Sequence, residues 1–218
     1  MVVSATVVED YVKVIHGYTE WQPQRITTTV LAARLGLANS SVTEMVKKLV
    51  AQGLVSHEPY GAIELTPEGT ELALRMVRRH RLIETWLVER LGYRWDEVHD
   101  EAEVLEHAVS DRLLDALDDE LGHPVRDPHG DPIPARDGTV VKPDAHLLAD
   151  LAAGTPARVA RISDRDPAVL RHLEAEGITL DVALEVLQST GESAVVSLAG
   201  QRVALATEAL SSIWVVLD

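Results

Sequence analysis

Apolar and polar residues alternate with helical spacing through the first fifty residues of the chain. Three segments carry apolar residues three and four positions apart, which is typical of amphipathic helices: 4–19, a segment that starts after Thr27-Thr28-Thr29 and runs through Leu35, and 39–52. Hydroxyl and amide residues stand at the start of the second and third segments, where they favour helix initiation. Gly36 and Gly53 follow the second and third segments and predict their ends. The pattern therefore predicts two helices joined by a short glycine-containing turn, preceded by another helix.

A predicted hairpin follows these helices. Residues 54–58 and 62–65 are short alternating runs, and Pro59-Tyr60-Gly61 between them is a turn sequence. A helix-turn-helix followed by a β-hairpin is the arrangement of a winged-helix DNA-binding domain. Thr66 and Pro67 then predict the N-cap and first position of the next helix.

The rest of the chain changes from helical to strand-like patterning. One long helix is predicted up to Leu91, and a further one from Trp95 to Leu121, each followed by a glycine. Residues 123–150 are rich in His, Pro, Asp and Gly and are predicted to form a linker. Beyond them a helix at 167–176 interrupts a set of short β-type runs, at 157–162, 183–187, 194–198 and 213–217. This set predicts a small β-barrel-like domain.

Composition narrows the class of protein. The chain has 46% hydrophobic and 25% charged residues, which is ordinary for a globular protein. It has no apolar run of membrane-spanning length and no basic-then-apolar N-terminal pattern, so we expect a cytoplasmic protein. The absence of cysteine excludes disulfides and thiolate metal ligands.

The net charge of −15 is unevenly distributed. Residues 1–81 contain nine basic and eight acidic residues, whereas residues 82–218 contain 11 basic and 27 acidic ones. The predicted winged helix is therefore close to neutral and can present a local basic face to DNA phosphates. The acidic remainder can attract cations.

The third predicted helix presents polar side chains opposite its apolar stripe. Short hydroxyl residues at its N-terminal end can approach phosphates or base edges, and two lysines further along can neutralise phosphates. The candidate DNA-contacting residues are Thr28, Asn39, Ser40, Ser41, Thr43, Glu44, Lys47 and Lys48. The alternative interpretation is an amphipathic helix with a solvated polar face. The hairpin that follows favours DNA binding.

Carboxylates and imidazoles cluster in the acidic part of the chain. On a helix, His99, Glu103, Glu106 and His107 would share one face. Further candidate ligands stand on the other predicted helices, His80 and Glu84 one turn apart and Asp10 near the N-terminus. Like charges on one face are unfavourable unless a cation or a partner compensates them, although a solvated charged face is the alternative. Oxygen and nitrogen donors without sulfur suit Mn²⁺, and Zn²⁺ also fits.

Two other classes of function compete with a metal-sensing regulator. One is a winged-helix transcriptional regulator that senses an organic ligand, in which these His and Glu residues have only a structural role. The other is a metal-dependent hydrolase that uses Glu103 or Glu106 as general base. The sequence contains no Gly-rich phosphate loop and no nucleophile constellation, so we expect no enzyme activity.

Several stretches together resemble one family, the diphtheria-toxin-repressor family of metal-dependent regulators, and within it the manganese-sensing branch. The matching stretches are residues 40–49, 65–69, 78–84, 98–103, 105–111 and 130–134. The resemblance implies a mainly α fold with small β parts. It consists of a winged helix-turn-helix (1–75), a helical metal-binding and dimerisation domain (76–145) and an SH3-like domain (152–218).

The resemblance also implies two metal sites. The primary site would use Asp10, Glu103, Glu106 and His107, and the ancillary site would use His80, Glu84 and His99. The third domain would add a ligand, for which Asp164 and Asp166 are the candidates. Iron-sensing relatives carry sulfur donors where this chain has Asp10 and Glu103, which favours manganese. Smaller manganese sensors carry a Glu where this chain has Lys13, so separated sites are expected rather than a two-metal cluster.

The function implied by the resemblance is repression of metal-homeostasis genes. A homodimer would bind a palindromic operator when Mn²⁺ is bound, with Fe²⁺ as the alternative signal and Zn²⁺ or Co²⁺ as further possible cofactors. No membrane and no small organic substrate is expected.

Overall fold

The computed structural model describes residues 5–22, 24–58 and 61–217. The chain divides into two compact units, and each is described by itself. The first unit contains the described residues up to Arg79 together with residues 134–139, and the second contains residues 80–133 and the chain from Val140 onward.

The first unit has the element order of a winged helix. Its elements are α1 (Ala5–Thr19), α2 (Thr28–Leu35), α3 (Asn39–Ala51), β1 (Val55–His57), β2 (Ile63–Leu65) and the first part of α4 (Pro67–Leu91). The side chain of Thr27 accepts a hydrogen bond from Val30 N and caps α2, and Gly36 ends that helix with a positive φ of 65°. β1 and β2 pair antiparallel, as the hairpin prediction requires. Predicted positions Ser4, Pro59 and Tyr60 lie outside the described residues.

One apolar core holds this unit together. The apolar stripe of each helix faces the same cluster, whose members are Val8, Tyr11, Ile15, Ile26, Leu31, Ala32, Val42, Met45, Val46, Leu49, Val55 and Ile63. The polar face of α3 is consequently left outside this core.

The start of α4 is fixed by a cap and a close approach. Thr66 Oγ1 accepts a hydrogen bond from Gly69 N at 3.1 Å, which satisfies one of the helix's first N–H groups. A Cβ on Gly69 would overlap the Leu54 carbonyl, so this position must be glycine. The start of β1, which follows Leu54, and the start of α4 are thereby packed tightly together.

The predicted single helix from Trp95 to Leu121 is wrong. Two helices occupy this stretch, α5 (Val98–Leu105) and α6 (Asp111–Leu121), and a turn separates them. Ser110 has extended backbone, and its side chain accepts a hydrogen bond from Leu113 N, so it caps a new helix. Glu106 and His107 therefore lie in the turn after α5, and they do not share a helix face with His99 as predicted.

The prediction of a linker over residues 123–150 is also wrong for its middle part. Residues 127–134 are largely buried, and Ile133 packs with Leu82, Ile83 and Leu87 of α4 in the helical core of the second unit. The burial of this segment does not follow from its turn-forming residues, because Pro and Gly indicate irregular backbone without indicating whether it is exposed.

The remainder of the second unit is β-rich. Its elements are β3 (His146–Leu147), a 3₁₀ turn (Leu148–Asp150), β4 (Pro156–Ile162), α7 (Pro167–Ala175), β5 (Ala183–Ser189), β6 (Ser193–Leu198), β7 (Gln201–Ala206), α8 (Thr207–Leu210) and β8 (Ile213–Leu217). Among the described residues the strands form one sheet in the order β3-β8-β4-β5-β6-β7. Pairing shifts register within β4 and β5, which curves the sheet around its own apolar core. β3 and β7 have no counterpart among the predicted strands.

No helix in the described part of the chain is both long and apolar enough to cross a membrane.

Candidate metal centre and DNA-binding face

Two helices of the second unit bring imidazole and carboxylate groups together. His80 and Glu84 stand one turn apart on α4, and His99 lies on α5. His80 Nε2 lies 3.0 Å from Glu84 Oε1 and 3.1 Å from His99 Nδ1, and His99 Nδ1 lies 3.4 Å from Glu84 Oε1. The predicted ancillary residues are therefore close enough to bind one cation.

The segment after β4 adds a fourth donor. Asp164 Oδ2 lies 3.2 Å from His99 Nδ1. One donor atom from each of His80, Glu84, His99 and Asp164 lies within 4.8 Å of the others. Asp166, the other candidate, instead accepts a hydrogen bond from Ala168 N and caps α7.

The hydrogen bonding of this group fits a cation. Glu84 Oε1 is buried and lies close to His80 Nε2, yet no hydrogen bond reaches it from the described residues. His80 Nδ1 lies 2.6 Å from the buried carboxylate oxygen Glu106 Oε2, an acceptor that places the imidazole proton on Nδ1. In the neutral ring, the form that binds a cation, the lone pair of His80 then lies on Nε2 and faces Glu84 and His99. Two imidazole nitrogens and two carboxylates form a donor set suited to a divalent metal ion.

Without a cation, protons must balance the buried carboxylates. Burial lowers the pKa of His99, but its interactions with the Asp164 and Glu84 carboxylates outweigh burial and raise that pKa to about 11. Burial raises the pKa of Glu84, and the charge on His80 together with neighbouring imidazole groups overcomes this and holds it well below its usual value. The pKa of Asp164 is likewise low, because the His99 hydrogen bond and the charge of His129 outweigh burial. A cation at this site would therefore displace bound protons.

A second group of predicted ligands lies beside the first. Glu106 is fully buried, and its Oε1 lies 3.4 Å from His107 Nε2. Glu103 Oε1 lies 3.5 Å from His99 Nε2 and 3.9 Å from His80 Nδ1. These positions bring the predicted primary-site residues of the second unit near one another. Asp10 belongs to the first unit, on α1, so its part in this site stays a prediction.

The segment predicted as a linker contributes buried charged residues that are not among the predicted ligands. Asp127, His129 and Asp131 are all buried. Asp131 Oδ1 accepts hydrogen bonds from Arg81 Nη2 at 3.3 Å and Arg161 Nε at 2.8 Å. The spacing Asp127-x-His129-x-Asp131 was available in the sequence, and part of it lay in a stretch that matched the family.

The charges of Asp127 and His129 are strongly affected by this burial. Burial and the nearby charge of Asp131 raise the pKa of Asp127 to about 7. Burial lowers the pKa of His129, but its interactions with Glu84 and Asp127 outweigh this and raise the pKa to about 10. The segment is therefore electrostatically coupled to Glu84.

The predicted DNA-contacting residues of α3 lie mostly on an exposed face. The exposed ones are Asn39, Ser40, Ser41, Glu44, Lys47 and Lys48, whereas Thr28 of α2 and Thr43 are half-buried. The N-cap residue of α3 is Ala38, whose side chain cannot cap the helix, so the first backbone N–H groups of α3 can bind an anion. Thr43 donates its hydroxyl hydrogen to Asn39 O at 2.8 Å. Lys47 Nζ lies 2.7 Å from Glu44 Oε1, which holds the pKa of that exposed carboxyl below its usual value.

Three family models match successive parts of the chain. The iron-dependent repressor N-terminal DNA-binding domain matches residues 4–63, the iron-dependent repressor metal-binding and dimerisation domain matches residues 66–135, and the FeoA domain matches residues 146–217. Together they account for the winged helix, the helices around the candidate metal site and the β-rich domain.

Individual proteins show the same similarity. The diphtheria toxin repressor of Corynebacterium efficiens is 33% identical over 175 residues, 74% of each chain. The iron-dependent repressor IdeR of Mycobacterium tuberculosis is 36% identical over 136 residues, 59% of each chain. A solved manganese-dependent transcriptional repressor in complex with manganese is 50% identical, with 97% of this chain and 100% of that chain covered and a TM-score of 0.93.

Proposed function

The chain belongs to the diphtheria-toxin-repressor family of metal-dependent transcriptional repressors, and from that premise we propose that it is a manganese-responsive repressor that binds operator DNA as a homodimer. Members of this family regulate transcription and are not enzymes. The observation that carries the proposal is the convergence of His80, Glu84, His99 and Asp164 around a buried carboxylate oxygen without a hydrogen bond. Bound Mn²⁺ would supply the positive charge that this arrangement requires.

Two metal-binding sites take part in sensing the ion. The ancillary site uses His80, Glu84 and His99, with Asp164 from the third domain as the fourth ligand. The primary site uses the ligand set implied by the family resemblance, Asp10, Glu103, Glu106 and His107. His80 supports a link between the two, because it donates Nδ1–H to Glu106 at 2.6 Å while its Nε2 faces the ancillary site. An imidazole held in this way orients a ligand of each site.

The donor types favour manganese over iron. The chain contains no cysteine, and carboxylates stand at Asp10 and Glu103, where iron sensors of the family carry sulfur. Hard oxygen donors suit Mn²⁺ better than soft ones do. The solved manganese-dependent repressor supports the same choice. The second candidate is a ferrous-iron repressor, which the similarity to iron-dependent repressors supports.

Repression would follow from ordering α1 and the winged helix. Asp10 is tied to the metal-binding residues only when a cation neutralises their mutual repulsion. The two α3 helices of a dimer then match two half-sites of a palindromic operator, in the cytoplasm where the chromosome lies. Metal and DNA would strengthen each other's binding by the same factor.

Exposed apolar residues support dimerisation through the helical region. Val104 of α5 and Leu113 of α6 are exposed, whereas Leu114 and Leu117 are buried in the core of their own chain. Exposed apolar residues in a region that matches a dimerisation domain indicate the contact surface.

The proposal is tested by Mn²⁺-dependent DNA binding. The probe is a palindromic duplex selected from a random library with the wild-type protein and Mn²⁺, and its binding is followed by fluorescence anisotropy. We expect Asp10→Ala to abolish the gain in affinity on addition of Mn²⁺. Glu9→Ala, which removes the neighbouring carboxylate, should leave that gain intact. The proposal would be overturned if no divalent cation changed the DNA affinity of the wild-type protein.

A separate experiment addresses the choice of metal. Metal-free wild type and the double variant Asp10→Met/Glu103→Cys are titrated anaerobically with Mn²⁺, Fe²⁺ and Zn²⁺ by calorimetry. We expect the variant to gain preference for Fe²⁺ relative to Mn²⁺, because a thioether and a thiolate replace two carboxylates. An unchanged preference would show that ligand type does not set the selectivity.

A further inference from the structure

The imidazole of His129 is held in one orientation by the groups around it. Its Nε2 lies 2.6 Å from the Trp95 carbonyl oxygen, and its ring stacks on the Trp95 indole with centroids 6.0 Å apart. Its backbone N–H donates to Asp127 Oδ1 at 2.8 Å. Because a carbonyl oxygen can only accept, Nε2 carries the proton. The other nitrogen, Nδ1, is then the one that carries the lone pair in the neutral ring.

His129 Nδ1 faces Glu84 without bonding to it. The residue is fully buried, and no described residue makes a hydrogen bond to Nδ1. Glu84 Oε2 lies 3.8 Å away, beyond hydrogen-bond distance. Buried in this way, the two atoms require a positive charge between them, which is a proton on Nδ1 in the metal-free protein or a bound cation in its place.

The two oxygens of Glu84 serve different groups. Oε1 faces His80 and His99 of the four-donor site, whereas Oε2 faces His129. A carboxylate placed in this way can bridge two cations, as in two-metal sites.

Asp127 completes the second group. Its Oδ1 accepts hydrogen bonds from the backbone N–H groups of His129 and Asp131, and its Oδ2 lies 3.7 Å from Arg81 Nε. One donor atom from each of Glu84, Asp127 and His129 lies within 4.8 Å of the others. Ligands about 2.1 Å from one cation lie up to about 4.2 Å apart, so a small inward movement closes the site.

We propose that His129 Nδ1, Asp127 and Glu84 Oε2 form a third, fully buried site for a divalent cation, which shares the Glu84 carboxylate with the four-donor site. The inference rests on the proposed metal-sensing function, because the bridge requires a cation on both sides of Glu84. Arg81 lies nearer to Asp131, which both it and Arg161 hydrogen-bond, than to Asp127, which its Nε approaches only to 3.7 Å. One imidazole and two carboxylates suit Mn²⁺.

Counting bound metal tests the proposal. Metal-free wild type, His129→Gln and Asp127→Asn are dialysed against excess Mn²⁺, and the metal per chain is measured by atomic emission. Glutamine can keep the hydrogen bond to Trp95 O while it removes the Nδ1 ligand, and asparagine can keep an acceptor at Oδ1. We expect three cations per chain in the wild type and two in each variant. His123→Gln, which changes an exposed histidine of the same segment, should still bind three.

Electron paramagnetic resonance of the wild type gives a second readout that no folding defect of a variant can affect. Two Mn²⁺ ions bridged by Glu84 should give an exchange-coupled spectrum in the wild type, whereas ions in separate sites should not. If the wild type and His129→Gln each bind two cations, the third site is overturned and His129 Nδ1 carries a proton instead. The proposed function would be unaffected by that result. A wild type that binds none would overturn the proposed function itself.

Discussion

Gly130 fixes the buried segment against β4, and its replacement by alanine should destabilise the second unit. Its φ of +91° is unfavourable for alanine, at a cost of about 1–2 kcal/mol. An alanine Cβ would also overlap the Ala160 carbonyl oxygen and come within 2.9 Å of Arg161 Cα. Relief requires the segment to move away from β4, which breaks the 2.8 Å hydrogen bond from Ile162 N to His129 O.

The magnitude follows from these two contributions. Loss of that hydrogen bond adds about 1–1.5 kcal/mol to the backbone strain, for a total near 3 kcal/mol. In a domain of this size that corresponds to a fall in melting temperature of about 6–12 °C. The assay is thermal unfolding of metal-free protein followed by circular dichroism.

Gly154→Ala is the matched control for this prediction. Gly154 has a φ of +84° but nothing within 4 Å of the added Cβ, so only the backbone strain, about 1.5 kcal/mol, should remain. The loss of unfolded-chain entropy on replacing glycine is common to both variants and cancels in the comparison. Equal destabilisation by the two substitutions would refute the argument that the segment is packed tightly against β4.

Three further predictions concern metal, protons and DNA. Asp164→Asn should weaken Mn²⁺ binding at one site at least about 10–100-fold in calorimetry and spare the other, since it removes a ligand from the third domain; an unchanged isotherm would exclude that ligand. The raised pKa of His99, about 11, means that Mn²⁺ must displace its proton, so apparent affinity should rise about tenfold per unit between about pH 6.5 and 8.5. An Mn²⁺ affinity that does not change with pH would contradict the displaced proton. The raised pKa of His99 also stabilises the metal-free fold, fully below about pH 6.5, and this contribution is lost as the pH rises through about 11. Lys47→Ala and Lys48→Ala should each weaken DNA binding at all sequences and reduce the salt slope by about 1, whereas Arg202→Ala in β7 should not; a change confined to one DNA sequence would indicate base contact instead.

Local pattern was sufficient for the winged helix. The apolar spacing of α1 to α3, the cap at Thr27 and the short strands around the turn each follow from neighbours in the sequence. Such features depend on interactions a few residues apart, and these can be inferred from the chain alone. The residue types for metal binding could also be inferred, because clustered carboxylates and imidazoles without cysteine restrict the chemistry.

The break between α5 and α6 could not be predicted from helical periodicity. Apolar spacing continues through the break, so the sequence favoured one helix, and Ser110 was not recognised as a cap. Because of this break, Glu106 and His107 do not lie on the helix face on which the single predicted helix places them. The break does not exclude them from the candidate ligands, because the turn still brings both side chains together.

The order of the domains, the amphipathic helices and the hard, sulfur-free donor chemistry can all be inferred from the residues along the chain. Folding was needed to show that Asp164 lies beside His99 whereas Asp166 caps α7, since two carboxylates two residues apart cannot be distinguished by spacing. The tertiary structure also buries the segment containing His129 beside Glu84. Burial depends on which distant elements pack over a loop, here α4 and β4, and pattern along the chain does not contain that information.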